Sequence, residues 1–140
     1  MGDVDVESVA RTAGLEQTRL RVTGFVTDRE LAAIVSGAQV FVMASEAEGF
    51  GLPLLESMAL GTPVVHSDVP ALVEVAAGAG VPIPRSGPRE ARAESIADAI
   101  RSILSDDDAA RSLRQLGLDR WPSYSWRDSA EKVWQLHADL

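Results

Sequence analysis

The chain has no cysteine, which excludes disulfides, thiol nucleophiles and thiolate metal sites. It has a single lysine, Lys132, and neither lysine nor arginine occurs between Glu30 and Pro84. A nucleic-acid surface needs clustered cations, so no nucleic-acid partner is expected. An anion bound within that span must rely on backbone amides, or on cations from elsewhere. No apolar run reaches the roughly eighteen residues of a membrane-spanning helix. The opening "MGDVDVESVARTAGL" lacks the basic-then-apolar layout of a signal peptide. "MGDVDVE" lacks the Ser or Thr at its sixth position that myristoylation asks for. A cytoplasmic location is expected.

What is present describes a globular protein. The chain has 140 residues, 46% of them hydrophobic, with a formal net charge of −8. That suffices for one domain with a real core and is unlike a disordered segment.

The pattern alternates helix and strand. "VESVARTAGL" has helical spacing with Gly14 as its C-cap. "RLRVTG", Arg19 to Gly24, reads as a short strand. "DRELAAIVSGA" reads as a helix to about Gly37, with Thr27 or Asp28 as N-cap. "QVFVMAS", Gln39 to Ser45, reads as a strand buried on both faces. After the loop "EAEGFG", Pro53 sits where a first helical residue is tolerated, and the helix ends at Gly61. "TPVVHS" is a further buried strand, "PALVEVAAG" a short helix and "AGVPIP" another strand. "PIPRSGPRE", Pro82 to Glu90, is linker-like. From about residue 89 the chain is helical: a long helix striped by Ile96, Ile100, Ile103 and Leu104, a second over "DAARSLRQLGL", and a last one opened by Ser125 and Asp128, which resemble a capping box. The last helix carries Val133, Trp134, Leu136 and His137. Four strands between helices predict an α/β fold with a Rossmann-like parallel sheet flanked by helices. Residues 1–140 are read as a single, partial domain with C-terminal helices over about 89–140.

In such sheets ligands bind beyond the carboxyl ends of the strands, where "SEAEGFG" leaves the strand Val40 to Met43. The helix after it presents free N–H groups and a partial positive charge. Gly49 and Gly51 let the backbone approach a ligand closely. These features suit a phosphate or pyrophosphate. Glu48 and Glu56 are acceptors for hydroxyl donors, as on a ribose or hexose. Phosphate and sugar hydroxyls together describe a nucleotide sugar.

The stretch "VFVMASEAEGFGLPLLESMALGTPVVHSDVPALVEV" resembles the signature of the retaining glycosyltransferases of the GT-B fold, the large family 4 group. That signature is a pair of glutamates separated by seven residues, matched by Glu48 and Glu56. The similarity runs from about Glu7 to the C-terminus and includes "RVTGFVTDREL" and the "YSW" before the final helix. The resemblance implies that Glu48, the catalytic-site candidate, lies near the donor-sugar hydroxyls and acts by positioning and electrostatics rather than as a nucleophile. It implies that Glu56 binds the ribose hydroxyls, and that Gly49, Phe50, Gly51 and Leu52 bring the backbone to the sugar and phosphates. The implied reaction is retaining transfer of a hexose from a nucleotide diphosphate sugar to an acceptor hydroxyl, with no metal and no cofactor beyond the donor.

The chain departs from the pattern in one respect. Family members open this domain with a strand ending in Gly-Arg and a lysine soon after, cations for the donor diphosphate, and nothing here matches them. The family sheet order 3-2-1-4-5-6 would place this chain's start just before the third strand. It is therefore expected to be the C-terminal half of a GT-B fold, truncated at its N-terminus. Three outcomes are expected for the gap: Arg19–Gly24 closes directly onto Val40–Met43, a second chain pairs at the exposed edge, or the fold is marginally stable. The second outcome implies a partner chain carrying the N-terminal domain, or a homo-oligomer. The isolated chain is expected to be inactive. The alternative is a non-catalytic module, or one half of a split enzyme whose partner supplies the acceptor domain and the Arg/Lys. An epimerase or phosphorylase of related fold would space its carboxylates differently. A dinucleotide-binding oxidoreductase is disfavoured, since no strand is followed by "GxGxxG". His66 and Glu74 are read as structural, Glu46 and Arg85 as surface residues. Trp121, Trp126 and Trp134 are read as packing residues, or as apolar faces left exposed for a partner.

Overall fold

A computed structural model describes residues 5–138. The chain divides into two compact units, Met1–Leu31 and Ala32–Leu140.

In the first unit, helix α1 spans Val6–Thr12. The Asp5 carboxylate accepts from the Ser8 amide at its start. Gly14, at φ +75°, ends it: the Gly14 and Leu15 amides bond back to the Arg11 and Ala10 carbonyls at 3.0 and 2.9 Å, the Schellman pattern that only a left-handed residue permits. A short 3-10 turn follows over Gln17–Arg19. Arg19–Gly24 is not the expected strand. Residues 20–24 are extended but pair with no described strand, and Val22 is exposed. A strand is completed only by a hydrogen-bonding neighbour, and this segment has none.

Helix α2, Asp28–Ser36, carries the junction between the units. Thr27 is its N-cap in a full capping box. Its amide and hydroxyl donate to Glu30 Oε2 at 2.9 and 2.8 Å, and the Glu30 amide returns a 3.4 Å bond to Thr27 Oγ1. The backbone bond first, and then the hydroxyl bond, hold the Glu30 carboxyl below the usual glutamate range.

The second unit is a three-stranded parallel sheet between helices. Strands Phe41–Met43 (β1), Val64–Ser67 (β2) and Val81–Ile83 (β3) lie in the order β1-β2-β3, with Phe41 opposite Val64 and Val65 opposite Val81. β2 is buried at every residue, as a central parallel strand must be. β1 is shorter than the expected Gln39–Ser45 and is not buried on both faces. It is an edge strand, and Val42 is exposed. Successive side chains point to opposite faces. Val64 therefore joins Leu54, Met58 and Leu72 on one side of the sheet, while Val65 joins Ile83, Ala99 and Ile103 on the other.

The first face is covered by helix α3, Leu52–Ala59, and helix α4, Pro70–Ala76. Pro53 stands second in α3 rather than first. Gly61, at φ +72°, closes α3 as Gly14 closes α1, with Gly61 and Thr62 amides on the Met58 and Ser57 carbonyls. The second face is covered by helix α5, Arg89–Leu104. Its buried residues are Ala99 and Ile103, with Ile96 partly buried beside them; Leu104, expected in the stripe, is half exposed. Helix α6, Asp107–Arg120, is capped by the Asp106 carboxylate. Gly117 lets it approach α3, because a Cβ there would sit 3.3 Å from Met58 Cβ. Helix α7, Trp126–Ala138, buries no residue. Ser125 Oγ caps it through the Asp128 amide at 2.9 Å. The reciprocal half of that box is absent, since aspartate is a methylene short of the reach glutamate has.

Candidate functional site

Parallel pairing brings the carboxyl ends of β1, β2 and β3 to one edge, where the loop after β1 begins. The end of β2 organises it. Ser67 is buried, and its hydroxyl donates to the Ser45 carbonyl at 2.5 Å. Ser45 Oγ in turn donates to Glu48 Oε1 at 2.7 Å. A hydrogen bond to an ionised acceptor is short and strong. The half-buried Glu48 carboxylate is thus referred, through two serines, to the most buried strand of the sheet.

Gly51 forms the corner between loop and helix. Its φ of +100° belongs to glycine, and an added Cβ would overlap Leu72 Cδ2 of α4. The amides of Leu54 and Leu55 fold back to the Gly51 carbonyl at 3.1 and 3.3 Å, and Pro53 has no N–H to offer. The amides of Gly49, Phe50, Gly51 and Leu52 donate to no described group. They stand at the N-terminus of α3, where the helix field favours an anion. Gly49 differs from Gly51: nothing lies within 4 Å of an added Cβ, so packing does not demand a glycine there. Glu56, inside α3, is exposed.

Phe50 lies against Tyr124, edge to face, with ring centroids 5.4 Å apart at 85°. Beside them an apolar groove of about 340 Å³ is lined by Phe50, Leu52, Leu55, Tyr124 and Trp126. The arginines near this edge are engaged with the protein itself. Arg92 pairs with Glu46 at 3.3 Å and Arg85 with Asp68 at 3.8 Å. Arg120 donates to the Val75 and Glu74 carbonyls. The loop therefore offers an anion peptide amides rather than a described cation.

Glu48, Gly49, Phe50, Gly51 and Leu52 form one continuous turn, with Glu56 on the helix that it opens. His66 is a core residue of β2, 2% exposed, packed under Gly80 with Nδ1 2.9 Å from the Ser67 carbonyl. Glu74 contributes its carbonyl, not its carboxylate, to the fold. Trp126 and Trp134 are 83% and 73% exposed, so they do not pack within this chain, and Trp121 is only partly covered. Sequence reading missed Ser45, Ser67, Arg120 and Tyr124. The two serines could have been found as polar residues at the carboxyl ends of adjacent parallel strands. Tyr124 stood in plain view in "YSW". Among the described residues no three His, Asp or Glu side chains gather as metal ligands, and no helix is long and apolar enough to cross a membrane.

A parallel α/β sheet flanked by helices, with a glycine turn and a helix N-terminus at its carboxyl edge, is the Rossmann-like architecture of the GT-B type. Residues 1–106 match the family Glycosyl transferases group 1, and the chain belongs to that family. It is similar to the O-antigen chain mannosyltransferase B of Escherichia coli, 35% identical over 115 residues that cover 82% of this chain and 29% of that protein. It is also similar to the D-inositol 3-phosphate glycosyltransferase of Corynebacterium urealyticum, 32% identical, covering 96% and 31% respectively. Among solved structures, sucrose-phosphate synthase from Thermosynechococcus elongatus superposes with a TM-score of 0.82 at 31% identity, covering 96% of this chain and 33% of that one. The C-terminal domain of a glycosyl transferase group 1 family protein from Francisella tularensis superposes with a TM-score of 0.69 at 26% identity, covering 84% and 58%. The chain thus spans about a third of the length of these curated relatives.

Proposed function

We propose that residues 1–140 form the donor-binding part of a retaining hexosyltransferase, with the C-terminal helices from about residue 89 completing one partial domain. The observation that carries the reading is the turn from Glu48 to Leu52: a carboxylate fixed by Ser45, followed by unbonded amides at a helix N-terminus. The diphosphate of a nucleotide sugar takes the amides of Phe50, Gly51 and Leu52, with Gly49 leaving room for its approach. Glu48 accepts from hexose hydroxyls and Glu56 from ribose hydroxyls. Glu48 holds the sugar for attack and stabilises the positive charge that develops at its anomeric carbon; it forms no covalent bond. The reading calls for no cofactor beyond the donor. A nucleotide-sugar substrate supports a cytoplasmic setting.

On its own this chain binds donor without transferring the hexose. It lacks the Gly-Arg and lysine expected for the diphosphate, and spans a third of its relatives' length. The remaining strands and the acceptor site come from further sequence or a partner chain meeting the outer edge of β1; a second copy pairs along that edge but supplies neither. Calorimetric titration with UDP-, GDP- and ADP-hexoses tests the reading. One nucleotide series is expected to bind, and Glu56→Gln to weaken it about tenfold, the scale of a lost hydrogen bond to a charged group. If no series binds, or if Glu56→Gln binds as tightly as the unaltered chain, the reading is wrong.

A further inference from the structure

Phe50 sits between two glycines, neither of which restrains the backbone on its own, and its side chain is 40% exposed. Whatever orders it must be a contact. That contact is the Tyr124 ring, 5.4 Å away and nearly perpendicular, an arrangement favoured by the ring quadrupoles. Tyr124 is in turn held fast. Its hydroxyl accepts from Arg120 Nη2 at 2.9 Å and donates to the Glu74 carbonyl at 3.4 Å. The Arg120 guanidinium carbon stands 4.9 Å from the centre of its ring, a cation–π contact. Arg120 is anchored by Nε on the Val75 carbonyl and Nη2 on the Glu74 carbonyl, both at 2.9 Å. These are last-turn carbonyls of α4 that the helix leaves without partners. The same helix supplies Leu72, which presses on Gly51. Two adjacent residues of the turn, Phe50 and Gly51, are therefore gripped by groups referred to one helix.

We propose that Tyr124 is a positioning residue for the donor turn: through its ring it holds Phe50, and through Phe50 it sets the direction of the Phe50–Leu52 amides. The proposal rests on the reading of that turn as the donor site. The ring does this, and it is seated by the Arg120 cation–π contact, to which the hydroxyl bonds only add. Tyr124→Phe therefore keeps the function, and Tyr124→Leu, which fills similar space without a ring edge, loses it.

The test is ¹⁵N relaxation of the full chain, read at the Phe50 and Gly51 amides, together with the affinity for UDP, GDP and ADP. Tyr124→Phe is expected to match the unaltered chain in both. Tyr124→Leu is expected to lower the heteronuclear NOE at Phe50 and Gly51 from helix-like values towards those of a free loop, and to weaken nucleotide binding about tenfold. Leu113→Ala, which disturbs packing on the other face of the sheet, controls for lost stability and should leave that NOE unchanged. Phe50→Leu breaks the same contact from its exposed side and replaces Tyr124→Leu should the latter not fold. An unchanged NOE in Tyr124→Leu overturns the proposal, as does a loosened turn with undiminished affinity. Equal loosening in Tyr124→Phe overturns the assignment to the ring. If the unaltered chain binds none of the three nucleotides, the donor-site reading fails, and the NOE still decides whether Tyr124 holds the turn.

Discussion

Gly49 and Gly51 read alike in the sequence and serve different ends in the structure. Gly51 is required by the fold, through its positive φ and the Leu72 side chain beneath it. Gly51→Ala is expected to cost about 2–4 kcal/mol, combining a left-handed alanine with an overpacked core. Gly49→Ala meets open space and should change stability by less than about 0.5 kcal/mol. Chemical denaturation of the two variants checks the difference, and similar losses in both would contradict it. The place of the turn was legible: two carboxylates around "GFG" after a strand marked the loop that the structure sets at the carboxyl edge of the sheet. The distinction between the glycines was not, because it depends on Leu72, a residue of the next helix. Nor was the orientation of Glu48, which depends on Ser67 at the end of the neighbouring strand.

At the scale of elements, helix ends were readable because their causes are local. Gly14 and Gly61 end their helices through bonds to residues a few positions back, and Thr27 and Ser125 start theirs through bonds three positions ahead. Glu30 makes this testable. Its folded-state pKa lies below the ordinary glutamate value, so its contribution is fully present above that ordinary value and is lost as pH falls through the depressed folded pKa. A carbon-detected titration should show the Glu30 carboxyl titrating below the ordinary glutamate value, and Thr27→Val, which removes the hydroxyl bond but keeps the larger backbone one, should return it only part of the way; an unshifted Glu30 would contradict the capping box. Strands were less legible. "RLRVTG" has strand-like composition but pairs with no strand among the described residues. β1 has a buried strand's composition but stands at an edge, so it is short and half covered. The apolar residues of α5 and α7 were visible, but only packing decides which of them are covered. Ile103 is buried, whereas Leu104 and most of α7 are not.

For the molecule as a whole, the open edge of β1 and the uncovered tryptophans of α7 agree with a chain spanning about a third of its relatives' length. The distribution of charge agrees as well. With no lysine or arginine from Leu31 to Pro84, and with Arg85, Arg92 and Arg120 engaged with protein acceptors, in the proposed reading the donor diphosphate rests on peptide amides and a helix end. Such a site binds more weakly than one with paired cations, but the location of its ligand is fixed by the fold. The most direct test is to map that location. In an amide-shift titration of the full chain with UDP-, GDP- and ADP-hexoses at millimolar concentration, the account predicts that one nucleotide series moves the Gly49–Glu56 amides most. Shifts centred on the exposed face of α7, or none from any series, would contradict it.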